Sequence, residues 1–202
     1  MTAMPQDAGP PTDERRAIER LRGGDIGALE ILVRRYQLRA TRAAYLVVRD
    51  RQLAEDIVCD AFLRCYERIQ QFHAERPFAP WFLRAVVNDA LKAADRRARQ
   101  VSLNSHWTPN GPTFGELLTS PDPEPDAQAE FAELRHQVQD AIESLTPRQR
   151  SAVVLHYFVG LSGPEIADEL SSPLGTVKRR LHDGRSRARA VHWYALRKEV
   201  AP

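Results

Sequence analysis

Cysteine is scarce. Cys59 and Cys65 are the only two in 202 residues, and neither belongs to a CxxC pair or a Cys/His cluster. That excludes a disulfide scaffold and the common zinc modules. The pair is spaced six residues apart on a stretch of helical pattern, where the two do not face each other, and both are expected as buried, reduced thiols. Long apolar runs are missing too. The longest, Ala43–Val48 and Ala152–Leu155, are flanked by charge and fall far short of the roughly 18 residues a membrane span needs. No basic-then-apolar signal opens the chain; MTAMPQDAGPPTDE reads as a disordered leader. The expectation is a cytoplasmic protein with no membrane insertion. Catalytic signatures are equally lacking, with no P-loop, no GxSxG and no HExxH. His73, His106, His136, His156, His182 and His192 are scattered and read as ordinary surface or core residues. The chain is therefore not expected to be an enzyme, and no metal or cofactor is expected.

What is present is a folded composition, 43% hydrophobic and 28% charged. A net charge of +2 implies no partner, but its distribution does. Arg84–Arg99 carries a net excess of three positive charges and Gly175–Arg189 one of five, while Gly115–Glu133 holds six acids and no base. Two basic patches around an acidic strip suggest two contacts with a polyanion.

Helical periodicity dominates and no strand pattern is found, so the fold class is all-α, with an N-terminal helical bundle and a C-terminal helix-turn-helix domain joined by a flexible linker. Residues 1–23 are read as a disordered leader and the start of a first helix. Asp25 can cap a helix through Ile26, Leu29, Val33, Tyr36 and Ala40 to about Arg49. A second follows a turn near Asp50, with Leu53, Ile57, Val58, Ala61, Phe62, Cys65 and Ile69 inward and Asp56, Asp60, Arg64 and Glu67 outward. A third runs from about Pro80 to Gln100, closing a bundle over residues 24–100. Residues 101–130, rich in proline and acids, are the linker. Residues 131–192 form the second domain and 193–202 a tail. In that domain Phe131, Leu134, Val138, Ala141 and Ile142 predict one helix. Thr146-Pro147 starts the next, Ser162 or Gly163 a third, and Leu174-Gly175-Thr176 a last, basic one.

The segment GPEIADELSSPLGTVKRRLHDGRSRAR has the frame of a helix-turn-helix. Ala167 supplies the small residue where two helices cross, and Ile166, Leu170, Val177 and Leu181 a shared core. Thr176, Lys178, Arg179, His182 and Arg185 then face outward as candidate DNA contacts, Thr176 toward phosphate at the helix start and the bases toward guanine edges or phosphates. Asp183 would repel phosphate and is read as an acceptor for cytosine N4. Gly184 is expected to weaken the helix.

The run SLTPRQRSAVVLHYFVGLSGPEIADELSSPLGTVKRRL resembles region 4 of the extracytoplasmic-function sigma factors, the small members of the sigma-70 family. The resemblance implies that this domain recognises the −35 promoter element. Ser171 stands where relatives usually place a turn glycine, so either a left-handed serine at a cost of about 1 kcal/mol or a different turn geometry is expected there. Residues 24–99 resemble region 2 through GDIGALEILVRRY, AEDIVCDAFLRCYERI and PFAPWFLRAVVNDALKAADRRAR. That implies docking on core RNA polymerase by the acidic stripe Asp56, Asp60 and Glu67, and melting and reading of the −10 element by the third helix. Asn88 and Asp89 suit a base edge, and Arg84, Lys92, Arg96 and Arg97 a strand backbone. Trp81 is read as core, and a base-capturing loop is placed between Phe72 and Pro80. The resemblance also implies an anti-sigma factor as partner beside core RNA polymerase and promoter DNA. The alternative is a helix-turn-helix regulator that binds DNA without joining the polymerase.

Overall fold

A computed structural model describes residues 12–101, 141–142 and 144–199, with the backbone alone at residues 12, 100, 101 and 188–199. Seven α-helices and no strand are found among the described residues. They are α1 (Thr12–Arg22), α2 (Leu29–Val48), α3 (Arg51–Glu67), α4 (Phe78–Val101), α5 (Pro147–Val153), α6 (Gly163–Glu169) and α7 (Leu174–Glu199). The expected linker and most of the helix expected over residues 131–145 lie outside the described residues.

α2 is the spine of the first domain. Leu32, Tyr36, Ala40, Ala43, Ala44 and Val47, three or four apart, are all buried. The run of alanines lets α3 and α4 pack closely along it. Phe62, Phe72, Phe78 and Phe82 fill the other side of the core, with Phe62 and Phe82 centred 4.5 Å apart. α1 was not expected as a separate helix. It forms because Glu14, Ala17, Ile18 and Leu21 share one face and all are buried. The buried Glu14 carboxylate accepts from the Tyr36 hydroxyl and meets Arg35 Nε at 3.2 Å. Burial, then this carboxylate, pushes the Tyr36 hydroxyl up to about 12. Asp25 caps a 3-10 turn over Ile26–Ala28 that leads into α2. Asp50 caps α3, its carboxylate accepting from the Leu53 amide at 3.1 Å.

In the second domain, Thr146 and Gln149 form a reciprocal cap at the start of α5, and Ser162 and Glu165 do the same for α6. α5 continues as a wider π turn over Val154–Val159 and stops at Gly160, where φ is 92°. Ile166, Val177 and Leu181 are buried, and Ala167 and Leu170 pack against them half-buried, so the small shared core forms as the spacing predicts. α5 and the π turn lie against α2 and α4, which joins the two domains.

Candidate nucleic-acid interface

The turn between α6 and α7 requires a left-handed residue, and Ser171 supplies it at φ 44°. Beyond the turn, α7 shows Lys178, Arg179, His182 and Arg185 exposed. They recur one, four and seven residues apart, hence on one helical face. Thr176 stands half-buried in the first turn. Its amide already donates to the Pro173 carbonyl at 2.9 Å, so any contact with phosphate falls to its hydroxyl. Asp183 does not join this face. Its half-buried carboxylate accepts from Gln149 Nε2 at 3.2 Å and so ties α7 to the start of α5. Gly184 is buried, and a Cβ built there would stand 2.6 Å from Val153 Cγ2. The glycine that looked like a weakness in the helix is where α7 packs closely against α5.

The second candidate surface is a groove of about 490 Å³ between α3 and α4. Its floor holds Ala61, Cys65 and Phe82, and its walls carry Arg64, Arg68, Gln71, Trp81, Arg84, Asn88, Asp89 and Lys92. Four of the six residues expected at the −10 element line this groove, Arg84, Asn88, Asp89 and Lys92, with the two cations on either side of the Asn88 amide. Asp89 is there too, but it bridges Arg64 Nη2 at 2.5 Å and Lys92 Nζ at 3.4 Å. Arg96 lies exposed one turn further along. Arg97 turns away, pairing with the α3 cap Asp50 at 2.7 Å. The Leu53 amide and then Arg97 hold the Asp50 carboxyl below its ordinary range. Arg64, expected outward with the acids, instead faces α4, and it was not among the residues assigned to this surface; neither were Arg68 and Gln71. Trp81 is half-buried, packed on Phe72 at 5.1 Å and Phe78 at 5.6 Å, and still lines the groove. The loop from His73 to Pro77 is exposed.

On the solvent-facing side of α3, Asp56, Asp60 and Glu67 are exposed in one stripe. Cys59 and Leu63 are exposed within it, Leu63 at 52%. Cys59 is thus not a core thiol, whereas Cys65 is buried and its thiol is pushed up to about 12 by that burial. Leu63 was missed, although its phase on the helix, away from Phe62 and Cys65, marks it as outward.

Two family models match this chain: Sigma-70 region 2 over residues 32–100, and Sigma-70, region 4 over residues 135–187. The ECF RNA polymerase sigma-E factor of Escherichia coli (strain K12) is 33% identical over 171 residues, which covers 83% of this chain and 88% of that relative. The chain belongs to the ECF RNA polymerase sigma factors. As a sigma factor it directs RNA polymerase to promoters, which sets aside the free-standing regulator. The sigma factor SigW of Bacillus subtilis (strain 168) is 28% identical over 187 residues, covering 92% of this chain and 96% of SigW. Among solved structures, the sigma factor RpoE in complex with the anti-sigma factor NepR from Bartonella quintana matches with a TM-score of 0.56 at 20% identity, covering 80% of this chain and 93% of that one. CnrH in complex with the cytosolic domain of CnrY matches with a TM-score of 0.52 at 21% identity, covering 89% and 96%. At those identities the two structures show the shared fold. No described helix of this sigma factor is long and apolar enough to cross a membrane.

Proposed function

We propose that this sigma factor divides promoter reading between its two basic surfaces. The exposed face of α7 reads the −35 element, with Arg179 and Lys178 at base edges or phosphates and Thr176, His182 and Arg185 beside them. The groove between α3 and α4 holds the opened −10 strand, Asn88 at a base edge and Arg84, Lys92 and Arg96 at the backbone. Arg64 and Arg68 extend that basic wall. The observation that carries this reading is the groove itself: cations and an amide stand beside the half-buried Trp81 ring, the chemistry that holds an unstacked base. Arg84 Nε is also buried with no hydrogen-bond partner among the described residues, leaving a donor for a ligand.

The stripe Asp56, Asp60 and Glu67 docks on a basic face of core RNA polymerase, with Leu63 as its apolar centre. Acids around one exposed leucine suit a helical partner better than solvent alone. An anti-sigma factor is the expected inhibitor, in line with the complex in which RpoE is found. The protein acts in the cytoplasm and performs no catalysis of its own. The division of labour is tested with core polymerase on one promoter. Arg179→Ala should weaken closed-complex binding by about 1–3 kcal/mol and relax preference at one −35 position. Asn88→Ala should leave closed-complex binding intact and reduce permanganate reactivity of thymines at the −10 element. If both variants lose the same step, the two surfaces do not act separately.

A further inference from the structure

α7 is tied down on the side away from its reading face. Arg180, Asp183 and Arg187 recur three or four residues apart, hence along one side of the helix. Each makes a polar contact with a neighbouring segment of the same domain. Arg180 Nη1 donates to Ser172 Oγ at 3.3 Å, Asp183 Oδ2 accepts from Gln149 Nε2 at 3.2 Å, and Arg187 Nη1 donates to the Ser144 carbonyl. The middle contact is made to a side chain that is itself fixed. Gln149 Oε1 accepts from the Thr146 amide at 3.0 Å and from Thr146 Oγ1 at 3.1 Å, so the cap of α5 holds it by its oxygen. The nitrogen is left turned to Asp183, whose carboxylate can only accept. The other carboxylate oxygen, Oδ1, stands 3.8 Å from Nδ1 of His182 on the reading face. Asp183 thus sits between a rigid helix cap and the side chains assigned to DNA.

The core behind α7 is small, with Ile166, Val177 and Leu181 buried and Ala167 and Leu170 packed on them. Apolar contacts of this kind are non-directional and oppose separation of the helices more than rolling of α7 about its own axis. A hydrogen bond fixes both distance and angle. With a helix about 10–12 Å across, a roll of about 20° carries a side-chain tip about 2 Å. Hydrogen-bond lengths span only about 0.5 Å, so a roll of that size forfeits a contact with a base edge. Phosphate contacts by long cations tolerate it far better, because they depend on charge more than on angle.

We infer, on the reading that α7 meets the −35 element, that Asp183 and Gln149 are positioning residues that determine promoter specificity: their bond fixes the rotation of α7 and so the register at which Lys178, Arg179 and His182 meet the bases. Asp183 is then not the acceptor for cytosine N4 that its place in the sequence suggests. The two roles leave different signatures. A charge near DNA changes binding to every sequence alike, through the phosphates. A lost rotation changes binding to the correct sequence, because base contacts carry the specificity. The ratio of correct to incorrect binding therefore reads positioning apart from charge.

The test uses holoenzyme assembled from core polymerase and the full chain. Closed complexes are titrated on a promoter the protein drives and on the same promoter with its −35 element replaced, and the ratio of the two affinities is taken. Gln149→Glu keeps the oxygen that Thr146 needs and removes the donor to Asp183. Adding Asp183→Asn restores the bond with donor and acceptor exchanged, at the parent's net charge. The ratio should fall about five- to tenfold in Gln149→Glu and return to within about twofold of the parent in the double variant. Asp183→Asn alone keeps an acceptor for Gln149 and should shift both affinities together. An unchanged ratio in Gln149→Glu, or single effects that merely add in the double variant, overturns the positioning. Asp183→Ala leaves the cap untouched and gives a second arm. The Gln149 side-chain amide resonance should move in it, and the ratio should fall about as far as in Gln149→Glu, by about five- to tenfold. A resonance that stays in place overturns the contact, and a ratio that stays overturns its role. A parent that binds both promoters equally is a different failure, that of the −35 reading of α7 beneath the inference.

Discussion

Gly184→Ala separates two physical accounts of the same residue. Helix propensity alone predicts a gain of about 0.8–1.0 kcal/mol, because Ala replaces Gly inside α7. The packing predicts the opposite. The new methyl would sit 2.6 Å from Val153 Cγ2 and 3.8 Å from Leu145 Cδ1. Val153 is β-branched, with one strongly preferred rotamer on a helix, so its methyl group cannot simply swing away. Overpacking of this kind costs about 1–3 kcal/mol, which outweighs the propensity term and leaves a net loss of up to about 2 kcal/mol. Because α7 must shift relative to α5, binding to −35 duplex should weaken as well. Urea denaturation and duplex titration measure the two effects. The companion Val153→Ala should couple: the double variant is expected to be less destabilised than the sum of the singles by about 1 kcal/mol. A Gly184→Ala protein that is more stable by about 1 kcal/mol, with −35 binding unchanged, would refute the close-packing argument.

Other positions give independent checks. Asp50→Ala removes the α3 cap and the partner of Arg97, and thermal melts should show a loss of about 1–2 kcal/mol. The Asp50 carboxyl is held below its ordinary value of 3.8, so its contribution is complete above that value and is lost as pH falls through the lowered one. The same variant should therefore flatten the acid limb of a stability–pH curve. Ser171→Gly relieves a left-handed residue and should stabilise by about 0.5–1 kcal/mol in chemical denaturation, leaving −35 binding as it is. Alkylation with iodoacetamide followed by mass spectrometry should modify exposed Cys59 quickly in the native protein, and buried Cys65 only after unfolding.

Helical signals were legible wherever a local rule decides them. Thr146-Pro147 and Ser162 started helices because their caps are short-range events written in three or four residues. At Ser171 the left-handed backbone, one of the two geometries the sequence left open, is the one the turn adopts. α1 was passed over because its apolar face has only Ala17, Ile18 and Leu21, and the residue completing it is a glutamate; a buried carboxylate is visible only once Tyr36 and Arg35 are seen around it. The groove was half legible. Arg84, Asn88 and Lys92 share one face of α4, which spacing alone can show. That Arg97 turns to Asp50, that Arg64 crosses to Asp89, and that Asp183 serves Gln149 depend on which helix packs beside which. Pairing between distant segments leaves no trace in the periodicity of either one. The same holds for Glu165 and Glu169, which accept from Arg84 and Asn88 of α4.

The most direct test of the account is run-off transcription by purified core RNA polymerase on a genomic fragment library, with this protein, with Asn88→Ala, with Arg179→Ala, or with none. The account predicts discrete transcripts only when the protein is present. Arg179→Ala should lose starts in proportion to the −35 match, and Asn88→Ala should lose them in proportion to the −10 match, on templates with a pre-opened −10 region as well. Unchanged start sites with either variant, or full recovery of Asn88→Ala on the opened template, would contradict the assignment of the two surfaces.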